Sequence, residues 1–244
     1  MSPAKTLLVV LITLLPAPLT AGQLPRIAII IDDLGYQLIA GQRAIALPGP
    51  VACAILPGSP RARQFANAAH DNGKEVLLHL PMQAVDNAGR VEETRMTLDM
   101  SRSKFAATFE AAFASVPHVV GINNHRGSLL TQHPGHMQWL MEEMLARDGL
   151  FFVDSFTTHE SVALQIASEL GVSAKKRDVF LDPDPSTETL LREFERLKVL
   201  AKKRGSAIAI GHPYEATLAM LERELPQLAD QGFELVAISE LVAN

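Results

Sequence analysis

The sequence predicts an α/β fold, a (β/α)7-8 barrel in which parallel strands are wrapped by helices. Three observations predict it. After residue 25, short apolar runs alternate with amphipathic stretches, as in parallel strands joined by crossover helices. Gly73, Gly149, Gly171, Gly205 and Gly232 each fall between a helical stretch and the next strand, where a left-handed cap is needed. Polar residues gather directly after five of the apolar runs, as they do where strands converge on one face of a barrel.

Taken in order, 26–31 (RIAIII) is the first strand and 36–46 the helix behind it. The second strand, 51–56, is followed by a helix over 60–72 whose start signal is Ser59-Pro60. Strand 75–79 leads into the least regular stretch, 82–100, which reads as a long loop over the active face. Ser101, with Lys104 on the first turn, opens the helix 101–115, and strand 118–122 follows. Pro134 at a first helical position opens 134–148. Then come strand 150–153, helix 160–170, a broken strand over 172–180, helix 187–204, strand 206–210, helix 214–230 and strand 233–237. Eight strands and seven intervening helices favour a barrel over an open sheet.

At 244 residues, 48% of them hydrophobic, the chain can bury a full core. Its net charge of −5 argues against a nucleic-acid partner, and Lys175 to Arg177 and Lys202 to Arg204 read as solvated helix ends and loops. Lys5 followed by TLLVVLITLLPAPL and TAGQLP has the layout of a secretory signal, with cleavage after Ala21. That run holds Pro16 and Pro18 and falls short of the ~20 residues of a spanning helix, so an uncleaved anchor is the weaker reading. The expectation is a signal peptide over 1–21 and one domain over 22–244. The mature chain is then periplasmic or extracellular, with no stable membrane insertion. Cys53 is the only cysteine, so no internal disulfide forms.

The residues after the apolar runs carry the chemistry: Asp32-Asp33, His79, Asn123-Asn124-His125, Asp154-Ser155 and His212. A single acid at such a junction is often a helix cap, and a single histidine is more often a bonded core residue than a ligand. As a set they point to a metal. A hydrolytic zinc takes three His and carboxylate ligands and leaves a position for water, whose pKa falls to about 7. Asp33, His79 and His125 form such a set. Asp32 is then left as the base, His212 as the acid for the leaving group, and Asp154 as a carboxylate that orients a histidine. His133 and His136 flank Pro134 and read as a helix start. Ser128 and Ser155 lack the G-x-S-x-G elbow. Gly35, Gly41 and Gly49 do not make the dinucleotide fingerprint.

In this order, IDDLG, LLHLPMQ, GINNHRGS, FFVDSFTT and AIGHPY resemble the divergent branch of the polysaccharide deacetylase family, over about residues 25 to 242. The resemblance implies a distorted barrel, a divalent metal (usually Zn2+), and removal of acetyl groups from N-acetylated polysaccharides of the chitin or peptidoglycan kind. It also implies Asp32 as base, Asp33 as ligand and His212 as acid. Two departures stand out. The mainstream second motif has two histidines four residues apart, whereas His79 is followed by Leu80, Pro81, Met82 and Gln83, so His125 replaces the missing ligand. The mainstream Arg-x-Pro-Tyr motif has no match, and Asn123, Asn124 and Arg126 are the candidates for its substrate and oxyanion contacts. Two other readings remain beside this one. One is a noncatalytic envelope glycan-binding protein on the same barrel, and the other is metal-assisted hydrolysis of a different ester.

Overall fold

The computed structural model describes residues 23–86, 92–184 and 186–242, so the apolar leader at 1–21 lies outside the described residues. The chain runs β1 (Arg26–Leu34), α1 (Leu38–Ala46), β2 (Ala52–Ile55), α2 (Ala62–Asp71), β3 (Val76–Met82), α3 (Arg102–Ser115), β4 (Val119–Arg126) and α4 (Pro134–Leu145). It continues through β5 (Phe151–Asp154), α5 (Ala163–Leu170), β6 (Ala174–Lys176), β7 (Val179–Phe180), α6 (Thr187–Arg204), β8 (Ser206–Gly211), α7 (Glu215–Glu224), β9 (Glu234–Leu235) and α8 (Ile238–Val242).

The local signals act as their chemistry requires. Ser101 accepts the Lys104 N–H as a helix cap, and Pro134 occupies the first turn of α4. Gly171 and Gly205 end α5 and α6 at φ of 79° and 85°, where a side chain would be strained. Ser59 differs from its expected role: its hydroxyl donates back to the Leu56 carbonyl, and α2 starts at Ala62 without a side-chain cap.

Every strand pairing is parallel, and the order β6-β5-β4-β3-β2-β1-β8-β7 puts consecutive strands at opposite edges of the sheet. Only Arg177 and Asp178 separate those edges. The Arg177 N–H donates to the Asp154 carbonyl, while the Asp178 N–H donates to Ile208. Two successive peptide groups thus join β5 to β8, and the sheet curls into a barrel with a seam there instead of a ladder. The broken strand expected over 172–180 is therefore two strands, β6 and β7. The last strand is also shorter than expected: Glu234 and Leu235 pair with the start of β1.

Strand alternation divides the core in two. One set of buried residues, including Ile27, Ile29 and Ile31, packs under the helices. The other includes Ala28, Ile30, Leu77, Phe151, Val153, Ile208 and Ile210 and fills the barrel. Gly121 makes room inside, since a Cβ there would lie 2.4 Å from the Phe151 ring. The helix α8, which the sequence reading did not anticipate, closes the lower end with Ile238, Leu241 and Val242. The Glu75 carboxylate holds it by accepting the Ile238 and Ser239 N–H groups.

Candidate active site

The inner face that is apolar low in the barrel turns polar at the carboxyl ends of the same strands. Two residues beyond Ile30 is Asp32; beyond Leu77, His79; beyond Gly121, Asn123 and then His125; beyond Val153, Ser155; and beyond Ile210, His212. All of these but Asn123, which stands behind His79 and Asp32, line one cleft of about 410 Å³. Alternation alone would turn Asp33 away. The register of β1 breaks between Ile31 and Leu34, and Asp33 adopts φ 59°, a left-handed conformation uncommon outside glycine. Asp33 is thereby brought against His79 and His125, beside Asp32.

Asp33 Oδ1 lies 3.2 Å from His79 Nε2 and 3.0 Å from His125 Nδ1, and those two nitrogens are 3.2 Å apart. Three donors on a tetrahedral zinc with ~2.0–2.1 Å bonds stand about 3.3–3.4 Å apart, close to this triangle. Asp33 Oδ1 is buried and accepts no well-directed hydrogen bond despite both nitrogens. Asp33, His79 and His125 each offer one ligand atom, all within 4.8 Å of one another, and this donor set fits a divalent metal. Burial opposes ionisation of Asp33, but His125 and then His79 hold its carboxyl far below the usual carboxylate range.

Asn123 fixes the proton positions around this cluster. Its Oδ1 faces His79 Nδ1 at 2.9 Å, and its Nδ2 donates to Asp32 Oδ1 at 2.7 Å. An amide oxygen only accepts, so Nδ1 of His79 carries a hydrogen and Nε2 is the atom presented to Asp33 and His125. Burial opposes the charged ring, but Asp32 and Asp33 raise its pKa, and a metal would take Nε2 in its unprotonated form. Burial raises the pKa of Asp32, opposed by His79, His212 and the Asn123 bond, in keeping with a group that accepts a proton.

Across the cleft, His212 Nδ1 is 2.9 Å from Asp182 Oδ1, while Asp182 Oδ2 accepts the His212 N–H and the Thr217 hydroxyl. Burial works against the His212 imidazolium, yet the Asp182 bond and the charges of Asp32, Asp182 and Asp33 push its pKa up to about 9. At neutral pH the ring is therefore protonated. Its Nε2 lies 3.9 Å from Asp33 Oδ2.

Several expected roles change. Asp154 orients no histidine: its carboxylate accepts the Phe156 N–H and the Ser161 hydroxyl, because it has the opposite strand parity to Val153. Asp182 does the orienting. Asn123 and Asn124 both have their amides hydrogen-bonded within the protein, and Asn124 lines the cleft. Asn123 is committed as described, and Asn124 joins β4 to β5 by donating to the Arg126 carbonyl and accepting the Ser155 N–H. Arg126 lines the cleft at φ 56°. Arg177, expected in solvent, reaches the cleft, where its Nε donates to the Ser155 carbonyl at 2.8 Å. Glu92, from the loop after β3, stands 3.6 Å from His125 Nε2. The sequence carried a signal for Asp182, the apolar Val179-Phe180-Leu181 just before it, but none for Glu92.

A family model described as divergent polysaccharide deacetylase matches residues 29–242. An uncharacterized protein of Escherichia coli K12, YibQ, is 39% identical over 209 residues, covering 86% of this chain. The chain spans 64% of that relative's length. Among solved structures, an uncharacterized protein of Agrobacterium tumefaciens C58 (ATU2773) superposes with a TM-score of 0.86 at 22% identity, covering 92% of each chain. A CE4 family pseudoenzyme of Bacillus anthracis, BA3943, does so with a TM-score of 0.52 at 16% identity, over 90% of this chain and 66% of that one. At those identities the two structures speak for the fold alone. With the barrel and the ordered motifs on its mouth, the match over residues 29–242 shows that the chain belongs to the divergent polysaccharide deacetylase family.

Proposed function

We propose that the protein is a metal-dependent amide hydrolase that removes acetyl groups from an N-acetylated cell-envelope polysaccharide, outside the cytoplasm. The observation that carries this reading is the convergence of Asp33, His79 and His125, with Asp32 beside them and His212, paired to Asp182, on the opposite wall. Asp33, His79 and His125 would hold the metal, most suitably Zn2+, which when bound polarises the acetamide carbonyl and makes water more acidic. Asp32, steadied by Asn123, accepts a proton from the attacking water. As the C–N bond breaks, the Nε2–H of His212 donates to the departing nitrogen, and Asp182 keeps the ring aimed through Nδ1. The products are acetate and a free amino sugar. Arg126, on the cleft wall, is a candidate for the substrate oxygen.

Acetate release from N-acetylglucosamine oligomers by the purified, zinc-loaded protein tests the proposal. Release that disappears together with bound metal in Asp33→Ala is the expected result. Oligomer binding without acetate under zinc, cobalt and nickel overturns it in favour of a glycan-binding protein.

A further inference from the structure

A second cleft of about 510 Å³ opens beside the first, and Phe156, Arg177 and Phe180 line both. Its character differs from that of the rest of the molecule. The chain carries 27 acidic against 22 basic residues, yet this cleft collects Lys176, Arg177, Arg196 and Arg204 against Asp178 and Glu193. Both acids are already neutralised, Asp178 by Arg204 at 2.8 Å and Glu193 by Arg196 at 3.0 Å. Asp154, whose charge reaches Arg177 and Lys176, is buried with its oxygens bonded to Phe156 and Ser161. Lys176 and Arg177 are left without an ion pair among the described residues, although Arg177 donates from Nε to the Ser155 carbonyl and from Nη2 to that of Phe156.

Their positions are braced. Lys176 Nζ lies 4.1 Å from the centre of the Phe156 ring, and the Arg177 guanidinium 4.8 Å from that of Phe180. Phe180 in turn stands 5.5 Å, ring to ring, from His212. Two aromatic rings, each carrying a cation, therefore separate the reacting groups from the second cleft.

The geometry points to an anion subsite there, which takes a carboxylate-bearing sugar next to the acetamide sugar held at His212. This rests on the reading of the first cleft as a glycan site and narrows it to an acidic polysaccharide. The rings offer apolar faces to the pyranose, while Lys176 meets the carboxylate and Arg177, held by its Nε and Nη2 bonds, adds Nη1 and its charge. The guanidinium forks that would clamp a phosphate in two places, Arg196 and Arg204, are engaged with Glu193 and Asp178, so a singly charged carboxylate fits better.

Two disaccharides that differ in one lactyl carboxylate test the inference: N-acetylglucosaminyl-β-1,4-N-acetylmuramic acid and di-N-acetylchitobiose. By calorimetry on the full chain, the acidic sugar should bind about fivefold more tightly at low salt. That preference should shrink at 1 M salt, where the Debye length is only ~3 Å. Lys176→Gln should remove most of it and Lys176→Arg should keep it. Equal affinities in the unmodified protein, or a preference untouched by Lys176→Gln, overturn the subsite. Acetate measured alongside separates the two readings. Anion preference without acetate sinks deacetylation and leaves the subsite standing, whereas acetate from both sugars at equal affinity sinks the subsite alone.

Discussion

The two ends of the barrel interior are built from the same strands at the same spacing, yet they obey opposite rules. At the lower end Ala28, Leu77, Phe151 and Ile208 meet the apolar side of α8, and burial alone holds them. One strand repeat higher, Asp32, His79, Asn123 and His212 are nearly as buried, but each persists because a partner of opposite charge or matching hydrogen-bond sense stands against it. The contrast shows that the lower layer bears the fold while the upper layer, perched on it, carries the chemistry. Substitutions in the two layers should therefore separate stability from metal binding.

Asp33→Ala is expected to have the largest effect. It removes one of three metal ligands, and acetate release should fall by at least ~10³-fold, with bound zinc lost by metal analysis. Phe151→Ala should destabilise the fold by about 3–5 kcal/mol in urea unfolding while zinc affinity of the folded fraction stays within about twofold. A parallel loss of affinity would break the separation of the layers. Asn123→Leu leaves the metal ligands in place but frees the His79 tautomer and removes a bond to Asp32. Zinc affinity by competitive chelation should drop about 10–100-fold.

The His212 imidazole provides a smaller, signed effect. Its pKa of about 9 in the folded chain exceeds the ordinary 6.5. Its contribution to stability is therefore fully present below about 6.5 and is lost as pH rises through about 9. In metal-free protein, an NMR titration of His212 should show that high midpoint, and Asp182→Asn should lower it. An unmoved midpoint would assign the shift to Asp32 and Asp33 instead. Asp154→Asn should change turnover least, because its carboxylate bonds only the Phe156 N–H and the Ser161 hydroxyl and touches none of the proposed reacting groups. A collapse of activity with the fold intact would restore it to the site.

Much of this was legible in the sequence. Apolar runs that stop at acids and histidines placed Asp32, Asp33, His79, His125 and His212 on one mouth, because strand ends converge wherever parallel strands close. The parity within each run was equally readable and was not used for Asp154: Val153 faces inward, so the next residue does not. Asp182 follows a strand of only two residues, whose apolar signal ran into the break after Lys176. Arg177 was hidden by composition, since three adjacent basic residues look solvated until the curl of the sheet turns one of them inward. Glu92 comes from an irregular loop, where neither period nor spacing says which side chain returns to a histidine.

The seam at Arg177 and Asp178 bears on how this molecule avoids its own kind. An open parallel sheet offers two rows of unpaired peptide groups on which another chain can build. Here the two edge strands, β6 and β7, are joined by two residues whose N–H groups bond to β5 and β8, the strands beside them. With Cys53 buried and unpaired, that curvature leaves only two short strands, of three and two residues, at the ends of the sheet.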